Sequence, residues 1–251
     1  MITSLPIKRI NIVVAGGSRG LGYALLNEFA SRGFNSYALH RGTHIENSNN
    51  IYLNIDETNG AYETCITAFE SIFSQSFNLD VCVHFVSGGG LGTSLFNDDI
   101  NDIERVQYHN YCLPAGLSTF LMQRALKCKH NNFNLRLFFY SSAVTQHYSA
   151  NPFYCAAKSA LEAYFKSSFL ARPKNVLMYM FRLGIVDIKH KYFHRLSKEN
   201  PQEFATILEK QLPSGYVLQP SEVASFVAYS ALDTNACNGV ICDISGGNSW
   251  H

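Results

Sequence analysis

The feature that most constrains this chain is a β-branched segment that leads directly into a glycine-rich turn. Ile10–Ala15 has the sequence INIVVA, which is typical of a strand buried on both faces. The next residues, GGSRGLG, open a segment in which apolar residues recur at helical spacing as far as a predicted stop at Gly33. Glycines permit positive φ and let backbone N–H groups approach a phosphate, whose charge a helix N-terminus favours. The pattern therefore predicts either a nucleotide-binding turn or an ordinary tight strand-to-helix turn.

The remainder of the chain alternates between strand-like and helix-like segments. We predict further strands at residues 36–40, 51–55, 81–86, 135–140, 176–181 and 239–244. We predict helices after the first strand and at residues 61–73, 103–127, 154–170 and 222–232. This alternation predicts an α/β fold, a Rossmann-like doubly wound parallel sheet of about seven strands with helices on both faces. The length of 251 residues predicts a single domain over residues 1–251.

The composition excludes several classes of partner. The chain is 47% hydrophobic and 16% charged, its formal net charge is +1, and it has no block of like charges. We therefore expect neither a nucleic-acid nor a membrane partner. The seven cysteines are widely spaced, without a CxxC pair or an ordered Cys/His pattern. We expect reduced thiols, no metal site and a cytoplasmic location, because the apolar run that ends at Ala15 is too short for a signal peptide.

Tyr154 and Lys158 are four residues apart in a predicted helix, so they lie on one face of it. A free tyrosine has a pKa of about 10 and is a poor proton shuttle at neutral pH. A nearby cation favours the phenolate, so we expect Lys158 to lower the pKa of Tyr154 towards the working range. The pair by itself carries little weight, because Tyr-x-x-x-Lys occurs often by chance on helices.

Several motifs together resemble those of the short-chain dehydrogenases/reductases, in particular members similar to 3-oxoacyl-(acyl-carrier-protein) reductases. They include a Gly-x-x-x-Gly-x-Gly turn, a fifth strand that ends in serine, and a closing strand with a Gly-Gly tail. The matching positions are Gly16, Gly20, Gly22, Asn54–Ile55, Asn110, Ser141–Ser142, Tyr154, Lys158 and residues 239–247. The resemblance covers essentially the whole chain. It implies an NADPH-dependent reductase that transfers hydride between nicotinamide and a carbonyl or secondary alcohol.

The resemblance also implies catalytic roles. Tyr154 would give its proton to the carbonyl oxygen, Lys158 would bind the nicotinamide ribose and lower the tyrosine pKa, and Asn110 would hold a water that connects the lysine to solvent. A serine would hold the carbonyl oxygen, and two serines compete for this role. The strand alignment favours Ser142, whereas counting back 13 residues from Tyr154, a common spacing in the family, favours Ser141. We prefer Ser142, because a loop shortens by one residue more easily than a strand slips and inverts its side chains.

The cofactor residues follow from the same resemblance. They are Gly16, Ser18, Arg19, Gly20, Leu21, Gly22, His40, Arg41, Asn54, Ile55, Val86, Tyr154, Lys158 and Val186. NAD-binding sites usually have an acidic residue at the end of the second strand, where this chain has His40-Arg41. Two arginines, Arg19 and Arg41, could bind a ribose phosphate, so we predict NADP(H). The alternative is that both arginines are solvated surface residues.

The sequence also departs from the family pattern. The fourth strand ends His84-Phe85-Val86-Ser87 in place of Asn-Asn-Ala-Gly, Leu183-Gly184 replaces Pro-Gly, and Ile188 replaces a threonine that often holds the nicotinamide amide. These losses leave open an alternative function, a non-catalytic NADPH-binding sensor or scaffold.

A basic segment follows the sixth strand. We expect residues of about 188–218 to form a variable lid over a small carbonyl or alcohol substrate. Its basic residues are Lys189, His190, Lys191, His194, Arg195 and Lys198. They form either a solvated face or a site for an anionic substrate, such as an acyl-carrier thioester or a nucleotide sugar. The resemblance implies a homodimer or homotetramer, assembled through the helix that carries Tyr154 and the one before it.

Overall fold

A parallel sheet of seven strands forms the centre of the protein, in a computed structural model that describes residues 10–40, 44–46, 48–52, 58–74, 80–86, 99–127, 134–146, 151–189, 191–212, 215–232 and 235–247. The strands are β1 (Ile10–Ala15), β2 (Asn35–His40), β3 (Asn49–Tyr52), β4 (Asp80–Phe85), β5 (Leu135–Ser142), β6 (Val176–Leu183) and β7 (Ile241–Ile244). The helices are α1 (Gly20–Ser31), α2 (Thr58–Ser74), α3 (Ile100–Gln107), α4 (Leu113–Lys127), α5 (Pro152–Ala171), α6 (Tyr192–Glu199), α7 (Pro201–Gln211) and α8 (Pro220–Leu232). A π-helical turn, Tyr108–Cys112, joins α3 to α4.

The strand order is β3-β2-β1-β4-β5-β6-β7. The strands β2 and β3 therefore extend from β1 towards one edge of the sheet, and β4 to β7 extend from β1 towards the other edge. Ligands of such sheets bind beyond the carboxyl ends of the strands, where the order reverses. In this protein that point lies between β1 and β4, and the glycine-rich turn begins there. The predicted parallel, doubly wound sheet is confirmed.

Each face of the sheet is covered by its own helices. One core contains α1 and α8, with Leu25 and Phe29 packed near Val227 against the sheet. The other contains α2, α4 and α5, with Phe69 and Phe165 among its buried residues. Strand residues alternate between these two cores because neighbouring side chains of a strand point to opposite faces. The prediction of helices on both faces is thus also confirmed.

Several boundaries differ from those predicted, and each has a local cause. The predicted helix 103–127 begins earlier, at Ile100, because the Asp99 carboxylate accepts hydrogen bonds from the N–H groups of Asn101 and Asp102 at 2.7 and 3.1 Å. The predicted strand 239–244 begins only at Ile241, because Gly239 has a φ of +78° and closes a turn.

The altered end of β4 is accommodated by a hydrogen bond across the sheet. His84 is completely buried, and its Nδ1 lies 2.8 Å from the hydroxyl of Tyr140 on β5. Its ring stacks on Phe138 with 4.4 Å between centroids. Burial lowers the pKa of His84 to about 3, so the imidazole is neutral at physiological pH. The histidine is therefore part of an aromatic core rather than a titrating group.

Three predicted cofactor residues, Arg41, Asn54 and Ile55, and the segment that follows Val86 lie outside the described residues. Among the helices that the structure describes, none combines the length and apolar character needed to span a bilayer. The six cysteines that it describes are free thiols.

Candidate active site

The glycine-rich turn after β1 is a close-packed cradle in which side chains have no room. Gly16 has a φ of +89°, and a Cβ built on it would lie 2.2 Å from the carbonyl oxygen of Val86. A Cβ on Gly22 would lie 2.2 Å from the carbonyl oxygen of Gly16. Contacts this short exclude any side chain at both positions. The first glycine therefore permits the turn, and the last permits α1 to begin directly against it.

The N-terminus of α1 has the properties of an anion site. The helix begins at Gly20, and its first residues, Gly20-Leu21-Gly22, contain no acid. Arg19 is the N-cap residue, and within the described chain no side chain caps the helix. The first N–H groups of a helix lack intrahelical acceptors and carry partial positive charge. With Ser18 and Arg19 in the turn, the residues present fit a diphosphate.

Three further predicted cofactor residues lie at strand ends near this cradle. The N–H of Val86 donates to the carbonyl of Ala15 at 2.9 Å, which extends the β4–β1 pairing past the sheet. Val186 forms a parallel bridge with Leu218, so the N–H and C=O of Val186 itself point away from Leu218. His40 is buried at the end of β2, in register with Tyr52 of β3.

Ile188 lies over the middle glycine of the cradle. Gly20 has a φ of +52°, and a Cβ on it would lie 2.7 Å from Cγ2 of Ile188. The position that carries a hydrogen-bonding threonine in the family pattern thus carries an apolar side chain against the turn.

Tyr154 is fixed in the first turn of α5 by contacts on both sides of it. The Asn151 side chain caps the helix and accepts the N–H of Tyr154 at 3.0 Å. Pro152 begins the helix, where a missing N–H costs nothing. Gln107, at the end of α3, donates to the carbonyl of Phe153 at 2.9 Å.

The two serines at the end of β5 point to different partners. The Ser142 hydroxyl lies beside the phenol of Tyr154, whose pKa it lowers. Ser141 donates instead to Oε1 of Glu162 on α5, at 2.6 Å. The two side chains diverge because successive residues of a strand face opposite ways. The structure thus brings Ser142, rather than Ser141, to the tyrosine.

Lys158 lies one helical turn after Tyr154 and is almost completely buried. Its ammonium donates to the carbonyl of Tyr140 at 2.8 Å, and its Nζ is 5.6 Å from the centroid of the Tyr154 ring. Burial lowers the pKa of Lys158 to about 7, and the charge of Glu162 opposes this shift. At neutral pH the ammonium and the amine are therefore both well populated.

The expected lowering of the tyrosine pKa is wrong for the protein without bound molecules. Burial raises the pKa of Tyr154 to about 12, and the neighbouring Ser142 hydroxyl offsets this only in part. The physical reason is desolvation, which disfavours the phenolate and also weakens the cation that was to stabilise it. Tyr154 consequently remains a protonated phenol at neutral pH.

Asn110 is at the centre of the π-helical turn and is completely buried. Its Nδ2 donates to the carbonyl of Val106 at 3.0 Å. A π-helical turn widens the helix locally and is often found at functional sites. The turn packs against α5, the helix that carries Tyr154 and Lys158.

The sequence analysis missed a buried ion pair beside these residues. Arg182 on β6 and Glu162 on α5 are joined by an Nη2–Oε2 contact of 2.9 Å, and both side chains are largely buried. A signal was present, since Tyr154, Lys158 and Glu162 are spaced at i, i+4 and i+8 on an otherwise apolar helix face. The structure places all three on the side of α5 that faces the ends of β5 and β6.

Comparison with known proteins relates this architecture to solved structures. No protein-family model and no curated protein sequence matches the chain. A 3-oxoacyl-(acyl-carrier-protein) reductase from Brucella melitensis in complex with NAD matches with a TM-score of 0.79 at 17% identity, over 95% of this chain and 96% of that one. A short-chain dehydrogenase/reductase from Serratia marcescens gives 0.76 at 19%, over 97% and 99%. BdcA in complex with NADPH gives 0.73 at 17%, over 96% and 95%. The chain therefore has the fold of the short-chain dehydrogenases/reductases along nearly its whole length.

Proposed function

We propose that the protein is an NADPH-dependent oxidoreductase that interconverts a carbonyl group and a secondary alcohol, with Tyr154 as the general acid and base. The observation that carries this proposal is the arrangement of Ser142, Tyr154 and Lys158. A half-buried phenol with a serine hydroxyl beside it and a buried ammonium near its ring is suited to protonating a developing alkoxide.

In the direction of reduction, the side chains act on the carbonyl oxygen. The hydride for the carbonyl carbon would come from a reduced nicotinamide held in the glycine-rich cradle. Ser142 donates a hydrogen bond to the oxygen and holds it near the phenol. Tyr154, protonated because of its raised pKa, transfers its proton to that oxygen. The phenolate that remains is stabilised by Ser142 and by the Lys158 ammonium.

Lys158 and Asn110 complete the proton path in this proposal. With a pKa of about 7, Lys158 can give up a proton near neutral pH and regain it from solvent. Asn110 holds the water through which that proton returns. Lys158 in addition binds the nicotinamide ribose. All four residues are conventional acid, base or hydrogen-bonding groups, and each lies on α5, on the π-helical turn that packs against α5, or at the end of β5.

The cradle of Gly16, Gly20 and Gly22 holds the cofactor diphosphate in this proposal, and the choice of NADP(H) depends on charge. Arg19 borders the cradle, and the chain has His40-Arg41 where an acidic residue would favour NAD. Solved structures with this fold contain NAD in one case and NADPH in another, so the fold itself is compatible with both.

The lid over the substrate consists of α6 and α7, anchored by buried Leu196 and Leu212. His194 is paired with Asp187, with 2.8 Å between Nδ1 and Oδ1. The lysines and arginine that the structure describes in the lid are all exposed; they are Lys189, Lys191, Arg195, Lys198 and Lys210. Their exposure supports a solvated face and a small uncharged carbonyl or alcohol as substrate.

We further propose that the protein assembles as a homodimer or homotetramer, which light scattering would test.

One observation favours the second candidate, a cofactor-binding sensor or scaffold without chemistry. Ile188 packs on Gly20 and has no hydrogen-bonding group to offer a nicotinamide amide. A backbone group can replace the missing side chain, and the N–H of Val186 points away from its bridge partner. The two candidates therefore differ in turnover rather than in cofactor binding.

A substrate screen separates them. The purified protein is mixed with NADPH and with β-ketoacyl thioesters, keto-sugars or simple ketones, and the absorbance of the reduced nicotinamide is followed. We expect consumption that depends on the added carbonyl compound. Cofactor binding measured by calorimetry, with no consumption across the panel, would favour the sensor.

A further inference from the structure

The buried carboxylate of Glu162 connects the two elements that carry the proposed catalytic residues. Its Oε1 accepts hydrogen bonds from Ser141 at 2.6 Å and from Thr145 at 2.7 Å. Arg182 donates from Nε to Oε1 at 3.1 Å and from Nη2 to Oε2 at 2.9 Å. Glu162 thus joins the end of β5, the turn after it and β6 to the middle of α5.

This cluster is adjacent to the proposed catalytic residues at two points. Ser141 immediately precedes Ser142 on β5, and Glu162 lies one helical turn after Lys158 on α5. Arg182 is in register with Ser141 in the β5–β6 pairing, which brings the guanidinium to the strand end. The same carboxylate therefore lies between the strand end that carries Ser142 and the helix that carries Lys158.

Stability alone is a weak reason for such a cluster. A buried ion pair loses most of its attraction to the cost of desolvation, and apolar replacements of similar volume are often neutral or stabilising. The carboxylate here accepts four hydrogen bonds from three other segments, so it links the end of β5, the turn after it and β6 to α5. Such an arrangement is better explained by a role in holding the end of β5 and α5, which carry the proposed catalytic residues, in a fixed arrangement.

We propose that Glu162, held by Arg182, is a positioning residue that fixes the end of β5 against α5 and places a buried carboxylate one helical turn from Lys158. The effect on catalysis rests on the proposed function, whereas the effect on Lys158 itself does not. Glu162 touches neither the phenol nor the carbonyl to be reduced, and it acts through Ser141 and Lys158.

The electrostatics around Lys158 support this role. Burial drives the lysine towards the neutral amine, and the charge that opposes this is that of Glu162. The other ionisable groups that the structure describes on α5 and on the elements packed against it are Tyr154, Cys155, Tyr164 and Lys166 on α5, Asp102, Glu104 and Arg105 on α3, Tyr108, His109, Tyr111 and Cys112 on the π-helical turn, Arg124 and Lys127 on α4, Arg136 and Tyr140 on β5, and Tyr179 and Arg182 on β6. Asp243 on β7 reaches Arg182 at 3.5 Å but is itself half-exposed. Among these described groups, Glu162 is a buried anion that acts on the lysine.

The experiment is a titration of Lys158 in the protein without cofactor. The protein is labelled with lysine carrying carbon-13 at the ε position, and the Lys158 resonance is assigned as the one that Lys158→Met removes. In Glu162→Gln, we expect the midpoint of this resonance to fall by about one pH unit or more, because a neighbouring opposite charge typically shifts a pKa by this amount. Thr145→Val is the matched control, since it removes a hydrogen bond to the same carboxylate without changing a charge.

A second variant keeps the proposal testable if Glu162→Gln does not fold. Glu162→Met/Arg182→Met replaces the ion pair with apolar side chains of similar size, and because a cation is removed together with the anion, the midpoint should fall by less than in Glu162→Gln. No fall in Glu162→Gln, an equal or larger fall in the double variant, or an equal fall in Thr145→Val would overturn the proposal. If the wild type turns over a substrate, the limb of its pH–kcat profile should move with the Lys158 midpoint while KM changes little. If it turns over none, the proposed function fails and the titration still decides the role of Glu162.

Discussion

Replacement of the buried Lys158 by methionine should stabilise the protein, and the gain should depend on pH. Lys158 has a pKa of about 7 in the folded protein against 10.5 as an ordinary value. Because the folded-state pKa is the lower one, the unfolded chain binds more protons between these values. The stability of the wild type must therefore rise as pH increases through this window. Methionine has a similar shape and no charge, so the stability of Lys158→Met does not rise with pH for this reason.

The size of the effect follows from the two pKa values. Desolvating the ammonium costs the wild type roughly 4 kcal/mol at pH 7 by this linkage. The variant loses the hydrogen bond to the Tyr140 carbonyl, worth about 1–3 kcal/mol, so a net gain of roughly 2 kcal/mol remains. The difference between the two proteins should shrink by roughly 2–3 kcal/mol from pH 6 to pH 9. That change is independent of how well methionine packs.

Urea unfolding of both proteins at several pH values in this range measures the difference directly. Comparing two proteins cancels the other titrating groups, such as the buried Cys65 and Cys82, whose pKa values burial raises to about 12. Lys166→Met, at an exposed lysine of the same helix, is the control and should show no such dependence. A constant difference for Lys158→Met between pH 6 and pH 9 would refute the argument, since it would mean that Lys158 does not titrate near neutrality.

Three further predictions concern catalysis and cofactor binding. Ser142→Ala should lower kcat by about 10²–10³-fold, the usual effect of losing a donor to a developing oxyanion, and Ser141→Ala should lower it less; the reverse ranking in steady-state assays would assign the role to Ser141. Arg41→Asp should weaken NADPH binding far more than NADH binding, because it places a like charge near the ribose phosphate; equal weakening in fluorescence titrations would identify Arg41 as a surface residue. Gly22→Ala should abolish binding of both cofactors or unfold the protein, because its Cβ would lie 2.2 Å from the Gly16 carbonyl; normal NADPH affinity and thermal stability would contradict the cradle.

The sequence predicted the sheet well because periodicity and glycine placement act locally. The run INIVVA and the turn after it determine β1 and α1 without reference to distant residues. Strand ends were less predictable. β5 continues to Ser142 because it stays paired with Arg182 and Leu183 on β6, and polar serines at a strand end give no local sign of that pairing.

The electrostatics of the site could not be predicted from spacing. The rule that a lysine one turn away lowers a tyrosine pKa assumes that both groups are solvated to a similar degree. Lys158 is buried and Tyr154 half-buried, and desolvation dominates at both, so each is shifted towards its neutral form. The spacing places Glu162 on the helix face of Tyr154 and Lys158, but its pairing with Arg182 could not be predicted, because the two residues are 20 apart in the chain and meet only once β6 packs beside β5.

The most direct test of the central claim compares Tyr154→Phe with the wild type in the direction of carbonyl reduction, with NADPH as the cofactor. The substitution removes only the phenolic hydroxyl, so the affinity for NADPH, measured by calorimetry, should stay nearly unchanged. Turnover of any carbonyl substrate that the wild type reduces should fall below detection, because the proton donor is lost. Retention of turnover in Tyr154→Phe, with NADPH still bound, would contradict the assignment of Tyr154 as the acid.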